Sequence, residues 1–210
     1  ECNEIIIQVS DYNHYYSGMI YPIGYGTHQQ INIYQSIQIL IKGFQSFLPF
    51  LMGMVCLLSY FFVGHKARDG YFAVVCLTYL GYVLYGIIHL IWNTQSYLWY
   101  RIEDLGYILF IYFITVFILN EYHERFSFTQ IMIGLGIVCS ILIGPYFLFE
   151  PSTQLFYVMS DIGQIYKYIC SFLMIYIIYK QFHQKQSLYF QFLSFVVIFF
   201  AVSVNMDNVF

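Results

Sequence analysis

Six apolar blocks, each close to the length of a bilayer-spanning helix, constrain the fold of this chain more than any other feature. They cover about residues 44–63, 71–92, 98–119, 129–149, 159–179 and 188–204. A helix needs about 20 mostly apolar residues to cross the hydrocarbon core of a membrane, and its backbone groups must be hydrogen-bonded within the chain. The sequence therefore predicts an all-α, multi-pass membrane helix bundle over residues 41–210.

Composition agrees with this fold and argues against other classes of protein. Hydrophobic residues make up 60% of the 210 residues and charged residues only 9%, whereas a soluble domain carries about 25% charged residues. This apolar composition makes membrane lipid an expected partner. The net charge is −3 and there is no basic run, so nucleic acid is not an expected partner. The sequence contains no CxxC, HExxH, GxSxG or phosphate-loop motif, so we predict no metal, no cofactor and no enzymatic activity for this segment.

The lysines and arginines of the loops indicate an orientation. The loops after the first, third and fifth blocks carry Lys66, Arg68, Arg125, Lys180 and Lys185. The loops after the second and fourth blocks carry none. Because cytoplasmic loops are enriched in these residues, we expect the first group of loops inside the cell and residues 1–40 outside. Lys42, Arg101 and Lys167 lie near the outer ends of helices and oppose the pattern.

Residues 1–40 differ in character from the rest of the chain. A β-branched run, Ile5–Ser10, is followed by turn-forming residues and by glycines up to Gly26. Such a short stretch does not bury a core by itself. We therefore expect residues 1–40 to be the end of a larger β domain that begins upstream, with residues 5–35 mostly strand and loop.

Several stretches resemble bacterial seven-transmembrane receptors with diverse intracellular signalling modules. The N-terminal stretch IIIQVSDYNHYYSGM is similar to the end of their extracytoplasmic domain through Gln8, Val9, Ser10, Tyr12, His14 and Gly18. Asp11 stands where that family usually has Asn, and Ser17 replaces a Gly. In the membrane part, the layout of the family is matched by RDG (68–70), YRIEDLGY (100–107) and VNMDNVF (204–210).

The resemblance implies a fold and a function. The fold is an extracytoplasmic β jelly-roll sensor followed by seven helices, six of them in this chain. The function is that of a sensor in the bacterial cytoplasmic membrane, such as one of a two-component system. It relays binding of a small extracytoplasmic ligand, such as a carbohydrate, to a histidine kinase or diguanylate cyclase outside this chain. A homodimer is also implied. A small-solute transporter and a structural subunit of a membrane complex remain open alternatives, although polar residues near helix ends favour the receptor over the transporter.

Polar residues near the predicted outer ends of the helices are candidates for ligand binding or signal coupling. They are Arg101, Glu103, Asp104, Asp161, Gln164, Lys167, His89 and Asp207. Ionisable groups at membrane depth are costly unless paired or hydrated. Two cations and two anions among them can neutralise each other, so we expect Arg101, Asp104, Asp161 and Lys167 to approach one another. The alternative is that these side chains extend separately to the membrane–water interface, with Arg101 and Asp104 forming an ion pair on one helix.

Two further groups of residues are candidates for sugar binding and for helix packing because of their residue types and spacing. His14, Tyr15 and Tyr16 offer aromatic faces and polar groups of the kind that bind sugars, although an ordinary packed loop would also contain them. Gly136, Ser140 and Gly144 recur every four residues, which allows close helix approach. We expect this small-residue stripe to pack inside the bundle, with a dimer face as the alternative.

The orientation predicts a labelling pattern in intact cells. Single cysteines introduced at Ala67 and Gln184 should be shielded from a membrane-impermeant thiol reagent, because both loops are predicted to be cytoplasmic. A cysteine at Ser152 should react. The reverse pattern would invert the predicted topology.

Overall fold

The computed structural model describes residues 27–92, 97–122, 125–148, 154–182 and Phe195. Within them, only Thr27, His65 and Lys66 are not helical. The helices are α1 (His28–Ser59), continued by one π-helical turn (Tyr60–Gly64), α2 (Ala67–Trp92), α3 (Tyr97–Tyr122), α4 (Arg125–Leu148) and α5 (Gln154–Phe182).

Four stretches of these helices are long and apolar enough to cross a membrane. They are His28–Gly64, Ala67–Ile88, Arg101–Glu121 and Asp161–Lys180. The α4 helix carries a shorter apolar stretch, Gln130–Gly144. The prediction of apolar helices of bilayer-spanning length is confirmed for these parts of the chain. The predicted sixth helix, 188–204, lies outside the described residues apart from Phe195.

The α1 helix begins at His28, well before the predicted start near residue 44. Residues 28–40 are therefore helical, and the predicted β-domain boundary at residue 40 is wrong for them. A capping box at Thr27 explains the early start. The Thr27 hydroxyl accepts a hydrogen bond from the Gln30 N–H at 3.4 Å, and the Gln30 side chain accepts one from the Thr27 N–H at 3.0 Å. The predicted strands of residues 1–26 lie outside the described part.

The α3 helix occupies the centre of the described bundle and contacts α2, α4 and α5. It runs antiparallel to α2, since the ring centroids of Phe72 and Phe117 lie 5.4 Å apart at one end and those of Tyr82 and Tyr107 lie 5.3 Å apart nearer the other. One core cluster joins α2, α3 and α5 around Ile118. A second cluster joins α3, α4 and α5.

Two glycines allow α2 and α3 to cross with their backbones in contact. A Cβ atom added to Gly106 would lie 2.5 Å from the Tyr82 nitrogen and 2.7 Å from the Gly81 carbonyl carbon. A Cβ atom added to Gly81 would lie 3.7 Å from the Gly106 Cα. Small residues permit this approach in membrane bundles, where dispersion contacts rather than expulsion of water drive packing.

The predicted small-residue stripe of α4 is used only at Gly136. A Cβ atom there would lie 3.1 Å from the Tyr112 hydroxyl of α3, whereas one at Gly144 would meet nothing within 4 Å. Ser140 is exposed and its hydroxyl donates to the Gly136 carbonyl at 2.8 Å. Gly136 and Ser140 border an open groove of about 580 Å³ between α3 and α4. The expectation that the stripe packs inside the bundle stays a prediction for Ser140 and Gly144.

Substitution of Gly106 tests the α2–α3 crossing. Gly106→Ala should lower the free energy of unfolding by about 1–3 kcal/mol, because the new methyl group overlaps the α2 backbone. Gly134→Ala in α4 is the matched control, since nothing lies within 4 Å of its added Cβ. The control should unfold at or slightly above the wild-type temperature because alanine favours helix. Thermal unfolding in detergent measures both, and equal midpoints would contradict the close crossing.

Candidate functional site

Four of the eight predicted polar residues lie on one face of α3 or one face of α5. On α3, Arg101 and Asp104 continue the i, i+3, i+4 row that leads to the fully buried Thr115. On α5, Gln164 and Lys167 lead in the same way to the fully buried Cys170. The Cys170 thiol lies within hydrogen-bonding reach of the Thr115 hydroxyl, so these two faces pack against each other at that level. We call Arg101, Asp104, Gln164 and Lys167 the α3–α5 polar residues.

Lys167 is the most buried of the α3–α5 polar residues. Its side chain is only 1% exposed, and its Nζ atom lies 4.8 Å from the centroid of the Tyr168 ring. All four residues take part in polar, ring or electrostatic interactions. A buried lysine in a membrane-spanning helix is costly unless such interactions offset its desolvation. Of these four residues, Lys167 therefore has the strongest requirement for a polar partner.

Asp161 differs from these residues in its exposure. Its side chain is exposed, and no ion pair links it to another described residue. Six residues separate Asp161 from Lys167, which places them about 120° apart around α5 and about 9 Å apart along it. The expected approach of Arg101, Asp104, Asp161 and Lys167 to one another stays a prediction.

An electrostatic interaction relates α1 to α3 across α2. The side chain of Lys42 lies along Gly86, with its Nζ atom 4.0 Å from the position of an added Cβ. Glu103 on α3 lies within range of the charge of Lys42, although the described parts of α1 and α3 do not pack directly on each other. Gly86 thus leaves space for a lysine side chain to pass across α2. Glu103 is a candidate by residue type, and the departure of Lys42 from the loop-charge pattern is the signal that points to its partner.

The opposite end of the bundle carries a second set of polar contacts. Arg68 Nε lies 3.4 Å from Glu121 Oε1, which joins the start of α2 to the end of α3. The Ser59 hydroxyl donates to Asp69 Oδ2 at 2.9 Å. The chain turns between α1 and α2 at His65, whose φ of 50° and ψ of 33° place it in the left-handed region. These contacts fix the short α1–α2 connection.

The remaining candidates are not placed by the described residues. The side chain of His89 lies outside the described part, although its backbone belongs to α2. Asp207, His14, Tyr15 and Tyr16 also lie outside it. Among the described residues, no group of three or more His, Cys, Asp or Glu side chains has a geometry that could hold a metal ion.

Comparisons with protein-family models, with curated proteins and with solved structures give no match for this chain. The resemblance to the seven-transmembrane receptors therefore stays a prediction from the quoted motifs.

A double-mutant cycle tests the contact between α1 and α3. Lys42→Met keeps the aliphatic chain that packs on Gly86, and Glu103→Gln keeps the size of the side chain. Each change should lower the unfolding temperature in detergent, because it leaves the other charge without its opposite in a poorly solvated site. The double variant should lose less than the sum, with a coupling of about 1–2 kcal/mol.

The matched control combines Lys42→Met with Glu121→Gln, since Glu121 lies on the same helix at the other end of the bundle. These two changes should be additive. Additivity of Lys42→Met with Glu103→Gln as well would contradict the contact.

Proposed function

We propose that this chain is the transmembrane sensor region of a bacterial signal-transduction protein. It would relay the binding of a small ligand outside the cytoplasmic membrane to an output module inside the cell. The observation that carries this proposal is the length of α1, which runs as one helix, with Pro49 inside it, from the Thr27 cap into the membrane-spanning bundle.

The length of α1 supports a role in transmission. With its π-helical turn it spans 37 residues, or about 55 Å at 1.5 Å per residue, whereas the hydrocarbon core of a bilayer is about 30 Å thick. The polar turn that follows Gly64 lies at one end, so the excess length lies at the other. About 25 Å of helix, or about 17 residues beginning in the polar sequence HQQIN, therefore projects beyond the hydrocarbon. We call the first 14 of these, residues 28–41, the α1 extension.

Contacts between helices offer a route from the α1 extension to the far side of the bundle. Lys42 lies at the base of the extension and interacts with Glu103 on α3. The α3 helix packs along α5, where the Cys170 thiol lies near the Thr115 hydroxyl. Near the end of α3, Glu121 pairs with Arg68. A rotation or shift of α1 would alter the contacts of α3, and ligand binding outside would favour one of two such arrangements.

The sequence motifs supply the remaining parts of the proposal. Residues 1–26 would be the end of an extracytoplasmic jelly roll that binds a carbohydrate or a similar small molecule. The output would be a histidine kinase or a diguanylate cyclase in a homodimeric receptor. The transporter alternative gains no support from the described grooves, because those of about 510 and 580 Å³ lie open on helix surfaces. The insertion experiment below distinguishes a receptor from the other alternative, a structural subunit of a membrane complex.

Insertion of alanines between Ser36 and Ile37 tests transmission through α1. Each inserted residue rotates the upper part of the extension by about 100° relative to the bundle. The readout is the alkylation rate of a cysteine at the exposed Ala67, on the far side of the bundle, measured in membrane vesicles. We expect one and two alanines to change this rate by about threefold or more. Four alanines, which nearly restore the helical phase, should return it toward the wild-type value.

The same numbers of alanines inserted before Thr27 serve as the control, because they precede the helix cap and leave the phase of α1 unchanged. A rate that is constant throughout the Ser36 series would argue against signal relay and for a structural subunit.

A further inference from the structure

The cations at one end of the bundle are exposed, whereas the carboxylates at the same end are turned inward. Lys66, Arg68 and Lys180 are exposed, and the Arg68 side chain is 50% accessible. The Glu121 side chain is only 9% accessible and pairs with Arg68, and the half-buried Asp69 accepts a hydroxyl hydrogen bond. Within the described ranges, this end therefore presents positive charge to its surroundings. We call Lys66, Arg68 and Lys180 the cationic rim.

The residues of the cationic rim lie at one depth because α3 and α5 run in the same direction. Ile111 and Cys170 share one core cluster, and Ile118 and Ile178 share the other, which lies later in both helices. Lys180 follows directly on this second pair at the end of α5, and the ion pair with the end of α3 brings the start of α2 to the same level. The apolar spans also end at these positions, so the cationic rim lies at the membrane boundary.

Strongly exposed apolar side chains adjoin the cationic rim. Phe62 and Val63, just before the turn that carries Lys66, are 82% and 78% exposed, and Tyr179, next to Lys180, is 73% exposed. Because they belong to stretches long and apolar enough to span a membrane, acyl chains would cover them. A lysine at the end of such a stretch holds its ammonium group just outside the hydrocarbon, at the depth of the lipid headgroups.

We propose that the cationic rim binds the phosphate groups of anionic phospholipids in the adjoining leaflet. An anionic phospholipid offers acyl chains to the apolar side chains and a phosphate to the ammonium and guanidinium groups, so one molecule covers both. An acidic protein segment dissolved in water would meet only the charges. Lysine and arginine near a membrane surface are attracted to anionic lipid within about one Debye length.

The opposite end of the bundle shows the reverse arrangement of charges. There Asp161 is exposed, Lys42 and Arg101 are half-buried, and Lys167 is buried. In the described part, this end therefore presents a carboxylate to the headgroups rather than ammonium groups. The preference for anionic lipid thus belongs to one leaflet. It does not depend on the proposed function, because it requires only that the helices span a membrane.

Spin-labelled lipids in reconstituted vesicles test the proposal. The full chain is placed in phosphatidylcholine vesicles with a trace of spin-labelled phosphatidylglycerol or spin-labelled phosphatidylcholine. Electron paramagnetic resonance then measures the fraction of each label held at the protein surface. We expect the phosphatidylglycerol label to be enriched about twofold or more over the phosphatidylcholine label. Raising the salt to about 1 M shortens the Debye length to about 3 Å and should reduce this enrichment.

Charge variants assign the enrichment to the cationic rim. Lys66→Gln and Lys180→Gln, singly and together, should reduce it stepwise, because each removes one exposed cation while the ion pair of Arg68 stays intact. Lys66→Arg with Lys180→Arg is the matched control and should keep the enrichment, because both charges remain. Circular dichroism verifies that each variant keeps the helix content of the wild-type chain.

Three results would overturn the proposal. Equal association of the two labels with the wild-type chain would mean that the cationic rim faces a water-soluble acidic partner instead. An enrichment that is unchanged in Lys66→Gln with Lys180→Gln would place the interaction elsewhere on the chain. Loss of the enrichment when glycerol phosphate is added at constant ionic strength would assign the cationic rim to a free phosphate compound and not to lipid.

Discussion

Contact between the α2 and α3 backbones at Gly81 and Gly106 determines where the remaining helices lie. With no room for a Cβ atom at Gly106, the two helices approach until their main chains touch. The aromatic pairs along the same interface follow from that approach, including Tyr79 and Phe110 with centroids 5.0 Å apart. Because α3 then presents its other faces to α4 and α5, a change in the crossing would displace both core clusters. Without water to be expelled, such close packing is a principal source of stability in a bilayer.

Charged side chains divide the bundle into two ends with different roles. At one end, Arg68–Glu121 and Ser59–Asp69 fix a short connection between consecutive helices. At the other end, Lys42 lies along Gly86 of α2, and the side chain of Lys167 is buried. Charges of the first kind contribute little beyond local order when they are as exposed as Arg68, which is 50% accessible. Buried charges such as Lys167 carry a larger desolvation cost. The proposed coupling between ligand binding and the bundle is therefore assigned to this end.

Helix length and apolarity could be predicted from the sequence, because a bilayer imposes both on any spanning segment. The start of α1 was missed because the apolar pattern weakens before Phe44, while the capping box of Thr27 and Gln30 is a local signal that does not depend on apolarity. Lys167 could be selected from the sequence by its residue type and its position near a helix end, but its burial could not be predicted. The exposure of Asp161 and the importance of Gly81 and Gly106 were not predicted, since both depend on which faces meet across helices far apart in sequence.

The separation of these contacts along the chain has a consequence for biogenesis. Gly81 and Gly106 can meet while α5 is still being synthesised, and the chain from Gly106 to Cys170 takes about 3–13 s at about 5–20 residues per second. During that interval the α3 surface destined for α5 faces lipid. The Thr115 hydroxyl tolerates the delay because it donates to the Ile111 carbonyl of its own helix at 2.7 Å. Glu103 emerges after Lys42, so its opposite charge is already present in the nascent chain. The order of the helices thus protects the early intermediate from exposing an uncompensated carboxylate to the membrane.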